Sequence, residues 1–300
     1  MKERQESQFR LMTYNIGGAL GKDGSALDSV IKVVKEVAPD ILIVQEAAEF
    51  QDADGAWHSA LGQIAQAVGL ENHCLGPTIS LREHMHVQKP TFVHAIFNDW
   101  QNWRQGNGIL SRWEFARLGD PAKPDAPRNV PIYRTPLYQG NRDTDPRYAL
   151  IARINKPPIF PFVLGTHFTT LVAEREGDSR SLSDRAEKAR SLRLEQAQRV
   201  LDLLREHVLE RGEVLFLLGD FNATASEPCI ASALETEGGF ARLEPTRGPD
   251  VTHPNVIGPI DHIFVYPGYR LIEYECWVVD SRDARCASDH LPVVADVKVK

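Results

Sequence analysis

Val214-Leu-Phe-Leu-Leu218, followed at once by Gly219-Asp-Phe-Asn222, reads as a strand buried on both faces that stops at a polar tip. A run without a polar position leaves no solvated face, so other layers must cover both sides of its sheet. Just upstream, Leu194, Ala197, Val200, Leu201, Leu204 and Val208 recur at helical spacing, and Gly212 is placed as the cap of that helix. A helix feeding a fully apolar strand is the signature of an α/β chain.

The pattern extends in both directions. Phe9 to Tyr14 alternates as a strand and enters a turn at Asn15-Ile-Gly-Gly18. Leu27, Val30, Ile31 and Val34 form the apolar stripe of a helix that Pro39 ends, and Ile41 to Val44 is a short buried strand delivering Gln45 and Glu46 to its end. Trp57, Leu61, Ile64, Ala65 and Val68 predict a second helix. Asn72 to Trp103 is weakly patterned and reads as an irregular excursion or hairpin. Gly108-Ile-Leu-Ser111 reads as a strand start, and Pro121 to Pro136 as a surface loop. Tyr148–Ile154 and Phe160–Thr166 are strands joined by a turn at Asn155-Lys-Pro-Pro158. A polar segment from Ala173 to Arg190 follows, and the last strands are Ile260–Tyr266 and Pro292–Lys300. No repeat, low-complexity tract or linker interrupts this order. It predicts a single domain over 1–300, with 1–8 flexible and stacked sheets carrying helices outside.

Composition narrows the function classes. With 300 residues, 42% hydrophobic and 25% charged, the chain can bury a large core, and no apolar run is long enough to span a membrane. No secretory leader is visible, which predicts a cytoplasmic protein, although a secreted form that had lost its leader would read alike. A net charge of −7 and a pI near 5.8 count against bulk electrostatic capture of nucleic acid, while leaving local basic loops free to bind phosphate. Cys74, Cys229, Cys276 and Cys286 contain no CxxC pair, so they read as free thiols, with a Cys276–Cys286 bridge left open.

The polar clusters sit where apolar strands stop: Tyr14-Asn15, Gln45-Glu46, Thr166-His167, Gly219-Asp-Phe-Asn222, and the pair Asp261-His262 with Ser288-Asp-His290. A strand fixes the backbone there while the side chain emerges into a cleft. A carboxylate such as Glu46 at the end of a buried strand is costly unless paired or bound to a cation. Gly219 predicts a tight turn, and Asp220 and Asn222, two apart on an extended segment, are expected on one side; the plainer reading is a turn with an Asx cap. His167 alone, or an adjacent Asp-His pair alone, is weak. Of the neighbours Asp261 and His262, only Asp261 need face a site.

Taken together, Thr13-Tyr-Asn15, Gln45-Glu46, Gly106-Asn-Gly-Ile-Leu-Ser-Arg112, Gly165-Thr-His167, Gly219-Asp-Phe-Asn222, Ile260-Asp261 and Ser288-Asp-His290 resemble the endonuclease/exonuclease/phosphatase superfamily with its DNase-I-like fold, over essentially the whole chain. The resemblance implies a four-layer αββα sandwich, two central mixed or antiparallel sheets flanked by helices, with one metal-centred cleft. It implies Glu46 as principal metal ligand with Asn15 and Asp289 close to the ion. Asp220 then polarises the attacking water, Asn222 steadies it or the scissile phosphate, His290 paired with Asp261 contacts the phosphate, and His167 supports developing charge. Arg147, before a strand, is placed as a phosphate contact. An acid- and amide-rich set suits Mg²⁺ or Mn²⁺ better than zinc.

Three functions compete. The first is a phosphodiesterase acting on nucleic acid, in which Trp100, Trp103 and Arg104 stack bases and hold a backbone, although the same aromatics could equally be loop core. The second is a phosphatase or phosphodiesterase for a small molecule, with the proline-rich loop walling a pocket. Its lipid-headgroup version is weakened by the lack of an exposed hydrophobic hairpin. The third, a non-catalytic binding module, should have lost site residues, and none is lost. The expected oligomeric state is a monomer.

Overall fold

The computed structural model describes residues 6–19, 25–80, 101–134, 144–172, 174, 183–208 and 212–300. Among these residues the strands form two mixed sheets. One runs in the order β14 (Leu271–Val278), β15 (Val293–Val299), β1 (Gln8–Gly18), β2 (Ile41–Gln51), β5 (Gln101–Ser111) and β4 (Asn72–Ser80), with β3 (Trp57–Ser59) also paired to β2. The other runs β12 (Ala241–Arg242), β13 (Asp261–Tyr266), β11 (Leu215–Asp220), β10 (Phe162–His167), β9 (Arg147–Ile154), β6 (Phe115–Arg117) and β7 (Asp120–Pro124), with β8 (Arg128–Tyr133) also paired to β9. Pairs β1–β2 and β10–β11 are parallel and the other pairs antiparallel.

Side-chain alternation assembles the layers. Phe9 and Leu11 of β1, Ile41 and Ile43 of β2, Val163 of β10, Phe216 and Leu218 of β11 and Ile263 and Val265 of β13 share one core between the sheets. The opposite faces carry Met12, Tyr14, Leu42 and Val44 against α1 (Ser25–Val37) and α2 (Ala60–Val68), and Leu215 and Leu217 against α3 (Ser183–His207) and the π-helical segment Cys229–Glu237. The result is the expected αββα sandwich. Burying each Leu or Phe of the central core contributes about 2–3 kcal/mol. Phe9 and Phe216 meet edge-on there, with ring centroids 5.0 Å apart.

Several local readings change. Trp57 belongs to β3 and not to α2, which begins at Ala60 where Ser59 accepts the Gly62 N–H as its N-cap. Gly108–Ser111 closes β5, which pairs antiparallel with β4, so the hairpin alternative holds for its arms; residues 81–100 lie outside the described set. The Pro121–Pro136 stretch carries β7 and β8, with 135 and 136 undescribed. Proline was misleading there because β7 lies at the rim of its sheet, where a missing N–H costs little. Helix α3 starts at Ser183, inside the segment read as polar, and ends at His207. Gly212 does take a left-handed φ of 63°, with 209–211 undescribed between them. Gly219 makes no turn; it lies inside β11, where a Cβ would stand 2.2 Å from the Thr166 carbonyl oxygen. β14, the π-helical segment and α4 (Arg282–Ala287) were not foreseen. All four cysteines are free thiols, so no Cys276–Cys286 bridge forms. The expectation of a flexible 1–8 falls mostly outside the described residues, and Gln8 is already paired with Lys298.

Candidate active site

The alternation that builds the central core continues to the strand tips, and there the residue types change. On β1 the inward series Phe9, Leu11 continues to Thr13 and Asn15. On β11, Phe216 and Leu218 lead to Asp220; on β13, Val265 and Ile263 lead back to Asp261; on β10, Val163 leads to His167. Register sets them side by side, with His167 opposite Asp220 and Asp220 opposite Asp261. Asn15 joins the two sheets: its Nδ2 donates to Asp220 Oδ2 at 3.0 Å and to Glu46 Oε1 at 3.3 Å.

Glu46 reaches this row through a break in its own strand. Simple alternation would turn it with Leu42 and Val44 toward α1 and α2. Instead it takes a φ of 56°, and the β2 register slips against β5 between Val44 and Ala47. Such a bulge re-aims a side chain, and a left-handed glutamate persists only when its surroundings hold it. Gln105 Nε2 donates to Glu46 Oε2 and to its carbonyl oxygen, both at 3.2 Å. Among the described residues, neither Glu46 oxygen meets a Lys or Arg.

Asn222 departs from the expected extended geometry. Its φ is 48°, and its N–H donates to Asp220 Oδ1 at 2.9 Å, which is the Asx turn named as the plainer reading. That turn still leaves Asn222 buried beside Asp220, its Nδ2 donating to the Phe168 carbonyl oxygen at 3.3 Å.

The imidazoles close the row. His290 Nδ1 lies 2.9 Å from Asp261 Oδ2 and its Nε2 3.7 Å from Asp220 Oδ2, and His167 Nε2 lies 3.3 Å from the same Asp220 oxygen. Burial alone would lower the His290 pKa, but the negative fields of Asp261 and Asp220 overcome it and push the value up to about 10. Burial raises Asp220, and with His290 pulling it down and Asp261 pushing it up the result is about 6. His290 is thus biased toward carrying both ring protons, and Asp220 holds a proton more readily than an ordinary aspartate.

Ser288 ties this tip to β1: its Oγ donates to the Asn15 carbonyl oxygen at 2.7 Å and accepts the His290 N–H at 3.1 Å. A cavity of about 340 Å³ opens here, lined by Ile16, Gly17, Glu46, Ser288, Asp289 and His290 together with small alanines. Asp289, 56% exposed, faces His253, a residue missed in the sequence, whose Nε2 is 3.5 Å from Asp289 Oδ2 and whose ring meets His290 edge-on at 5.0 Å. The only signal for it was the polar string Thr252-His-Pro-Asn255. Thr252 Oγ1 anchors that string by accepting the N–H groups of Ile260 and Asp261. Asp220, Asp261 and His290 each place a ligand atom within 4.8 Å of the others, as do His253, Asp289 and His290. Oxygen-rich, with Glu46 held among the described residues by the neutral amides of Asn15 and Gln105, this donor set fits a hard divalent cation.

Other candidates fall elsewhere. Arg147 is buried in an ion pair with Asp145 at 3.8 Å, on the strand face shared with Ala149 and Ile151, whereas Tyr148 takes the His167 side. His262 stays out of the row as expected: its Nε2 bonds the Ala223 carbonyl oxygen, and burial lowers its pKa to about 4. Trp103 is buried at 2% exposure and is core, not a stacking platform; Trp100 lies outside the described residues. Arg104 is taken up by Glu49 at 2.7 Å.

A model of the Endonuclease/Exonuclease/phosphatase family matches residues 12–290. The chain belongs to this family. No curated protein matches it. Among solved structures, an endonuclease/exonuclease/phosphatase protein from Beutenbergia cavernae is 20% identical, with a TM-score of 0.63 over 98% of this chain and 72% of that one. The human Nocturnin catalytic domain, with a bound sulfate anion, is 14% identical, with a TM-score of 0.63 over 98% and 95% of the two chains. Truncated Caenorhabditis elegans TDP2 is 15% identical, with a TM-score of 0.57 over 97% and 98%. At these identities the likeness shows the DNase-I-like fold. The family membership makes the chain one of a group whose members are generally phosphoester hydrolases. No described helix is long and apolar enough to cross a membrane.

Proposed function

We propose that this protein hydrolyses phosphoester bonds, phosphodiesters foremost, by in-line attack of water beside a Mg²⁺ or Mn²⁺ ion. The observation that carries the reading is Asn15 Nδ2 bridging Glu46 on one sheet and Asp220 on the other, which brings the acids from both layers to one point. Glu46 is the main cation ligand, with Asn15 and Asp289 at its side. A cation bound there offsets the charge of the ester oxygens.

The chain's own groups supply the rest. Asp220 accepts the proton of the attacking water, and its burial beside Asp261 raises its proton affinity above that of an ordinary aspartate. Asn222, fixed by its turn, orients that water or the scissile phosphate. His290, held through Nδ1 by Asp261, donates its Nε2 proton toward the phosphoryl oxygens, and His167 adds a second donor beside it. Phosphoryl transfer asks mostly for such positioning and charge stabilisation.

Nuclease-type substrates remain the first reading, and the sulfate in the Nocturnin domain is a tetrahedral oxyanion of phosphoryl shape. The second reading, a small phosphate ester, is favoured by the cavity's size and its lining of Ala19, Ala26 and Ala287 beside Glu46. A panel run with Mg²⁺ or Mn²⁺ separates them: single- and double-stranded DNA, RNA, a bis-aryl phosphodiester, nucleotides and sugar phosphates. Cleavage of polymer alone selects the nuclease and cleavage of small esters alone the pocket. Failure to hydrolyse any ester with either metal would remove the proposal.

A further inference from the structure

We infer that Gln105 is a positioning residue for Glu46, holding that carboxylate in the one orientation that presents it to a cation; the inference rests on the reading of Glu46 as cation ligand. One amide nitrogen makes both contacts: Gln105 Nε2 reaches Glu46 Oε2 and the Glu46 carbonyl oxygen, each at 3.2 Å. Asn15 Nδ2 holds the other carboxylate oxygen at 3.3 Å, so the group is gripped from both sides. The backbone contact matters as much as the carboxylate contact. Glu46 sits at φ 56° where the β2–β5 register slips between Val44 and Ala47, so ordinary ladder pairing is interrupted there. A side-chain amide bonded to the carbonyl stabilises a conformation that the chain would otherwise leave.

Gln105 is itself fixed. It pairs with Ala48 on one flank and Ile79 on the other, and its carbonyl oxygen accepts the Thr78 hydroxyl at 3.1 Å. The next residue, Gly106, is pressed so closely on β4 that a Cβ would stand 2.0 Å from the Gly76 carbonyl oxygen. The amide therefore projects from a backbone with little freedom to shift.

The residue type is informative. An Arg or Lys at this position would orient the carboxylate equally well, but it would neutralise it and repel an incoming cation. A neutral amide fixes the geometry and leaves the full negative charge for the metal. It also does not titrate, so its donor is present at every pH. Supporting groups of this kind typically change metal affinity by about 10–100-fold when lost. Gln105 touches neither the ester nor the water in this scheme and acts only through Glu46.

The test is Mn²⁺ binding to substrate-free protein, followed by the electron paramagnetic resonance of the free ion, in wild type, Gln105→Met, Gln105→Asn and Glu46→Gln. Methionine keeps the length and loses the donor; asparagine keeps the amide and loses the reach. Both are expected to raise the Mn²⁺ Kd about tenfold. Both variants should stay folded without metal, as read by far-UV circular dichroism, and kcat should recover at saturating Mn²⁺. An unchanged Kd in a folded Gln105 variant, with Glu46→Gln weakened, overturns the role of Gln105 and leaves Glu46 intact. An unchanged Kd in Glu46→Gln overturns the reading of Glu46 instead.

Discussion

The two ends of the layer between the sheets share the same strand faces but differ in side chains and, at Glu46 and Asn222, in backbone conformation. At one end Phe9, Phe216, Val163 and Val265 interlock in an apolar core. At the other, the same strand faces continue as Asn15, Asp220, His167 and Asp261, all buried or nearly so. The comparison teaches that most of the site follows from one more step of period-2 alternation, which replaces an apolar contact with a polar group, while Glu46 needs a bulge to join it. The apolar end stabilises the fold by removing surface from water. The polar end costs stability by desolvating carboxylates, an expense limited by mutual hydrogen bonds and, on our reading, by a cation.

The sharpest way to break the comparison is to exchange the roles of its ends. Asp220→Ala is expected to lower turnover by roughly three orders of magnitude or more while leaving the far-UV circular dichroism unchanged. Near-normal metal-dependent hydrolysis in that variant would show that the polar end is not the catalytic one. At the other end, Phe216→Ala should reduce unfolding free energy by about 3–5 kcal/mol in denaturant titration, with turnover per folded molecule close to wild type. A large loss of turnover in the cold, folded variant would mean that the ends are not separable.

His262 sharpens the boundary between them. It lies next to Asp261 but faces the helical side, and its folded pKa of about 4 is below the ordinary 6.5. Below pH 6.5 the unfolded chain takes up a proton that the folded site refuses. Its share of stability is therefore fully present above that pH and is lost as pH falls toward 4, about 3 kcal/mol in all. Denaturation at pH 7 and pH 4.5 should show a steeper loss for wild type than for His262→Gln; equal losses would refute the buried neutral imidazole. The smallest effect is expected from Ser281→Ala. Ser281 caps α4 by accepting the Ala284 N–H at 3.1 Å, and α4 leads into Ser288 and Asp289. Loss of the cap should cost about 1 kcal/mol and change turnover less than about twofold, as read by Tm and steady-state rates.

Legibility in the sequence followed the range of the forces involved. Strands buried on both faces, such as β11, were plain because no polar residue interrupts Leu215–Leu218. β14 was missed because half of its length, Ile272 to Glu275, is solvent-exposed, so its side chains carry no continuous burial signal. Residues carried over from the resemblance, including Glu46 and His290, do converge, whereas Gln105 and His253 were invisible because their partners are distant in the chain. Gln105 meets Glu46 across a strand pair, and His253 meets Asp289 across a loop.

By itself the sequence determined which residues could be buried, which strands must lie inside, and the polar chemistry at their ends, since burial and periodicity are properties of a local run. Only the tertiary structure decided how those ends meet. It set the bulge that turns Glu46 inward, chose the Asx turn over an extended Asp220–Asn222 segment, and brought Gln105 onto Glu46. Those choices depend on register between strands far apart in the chain, which no local stretch of residues specifies.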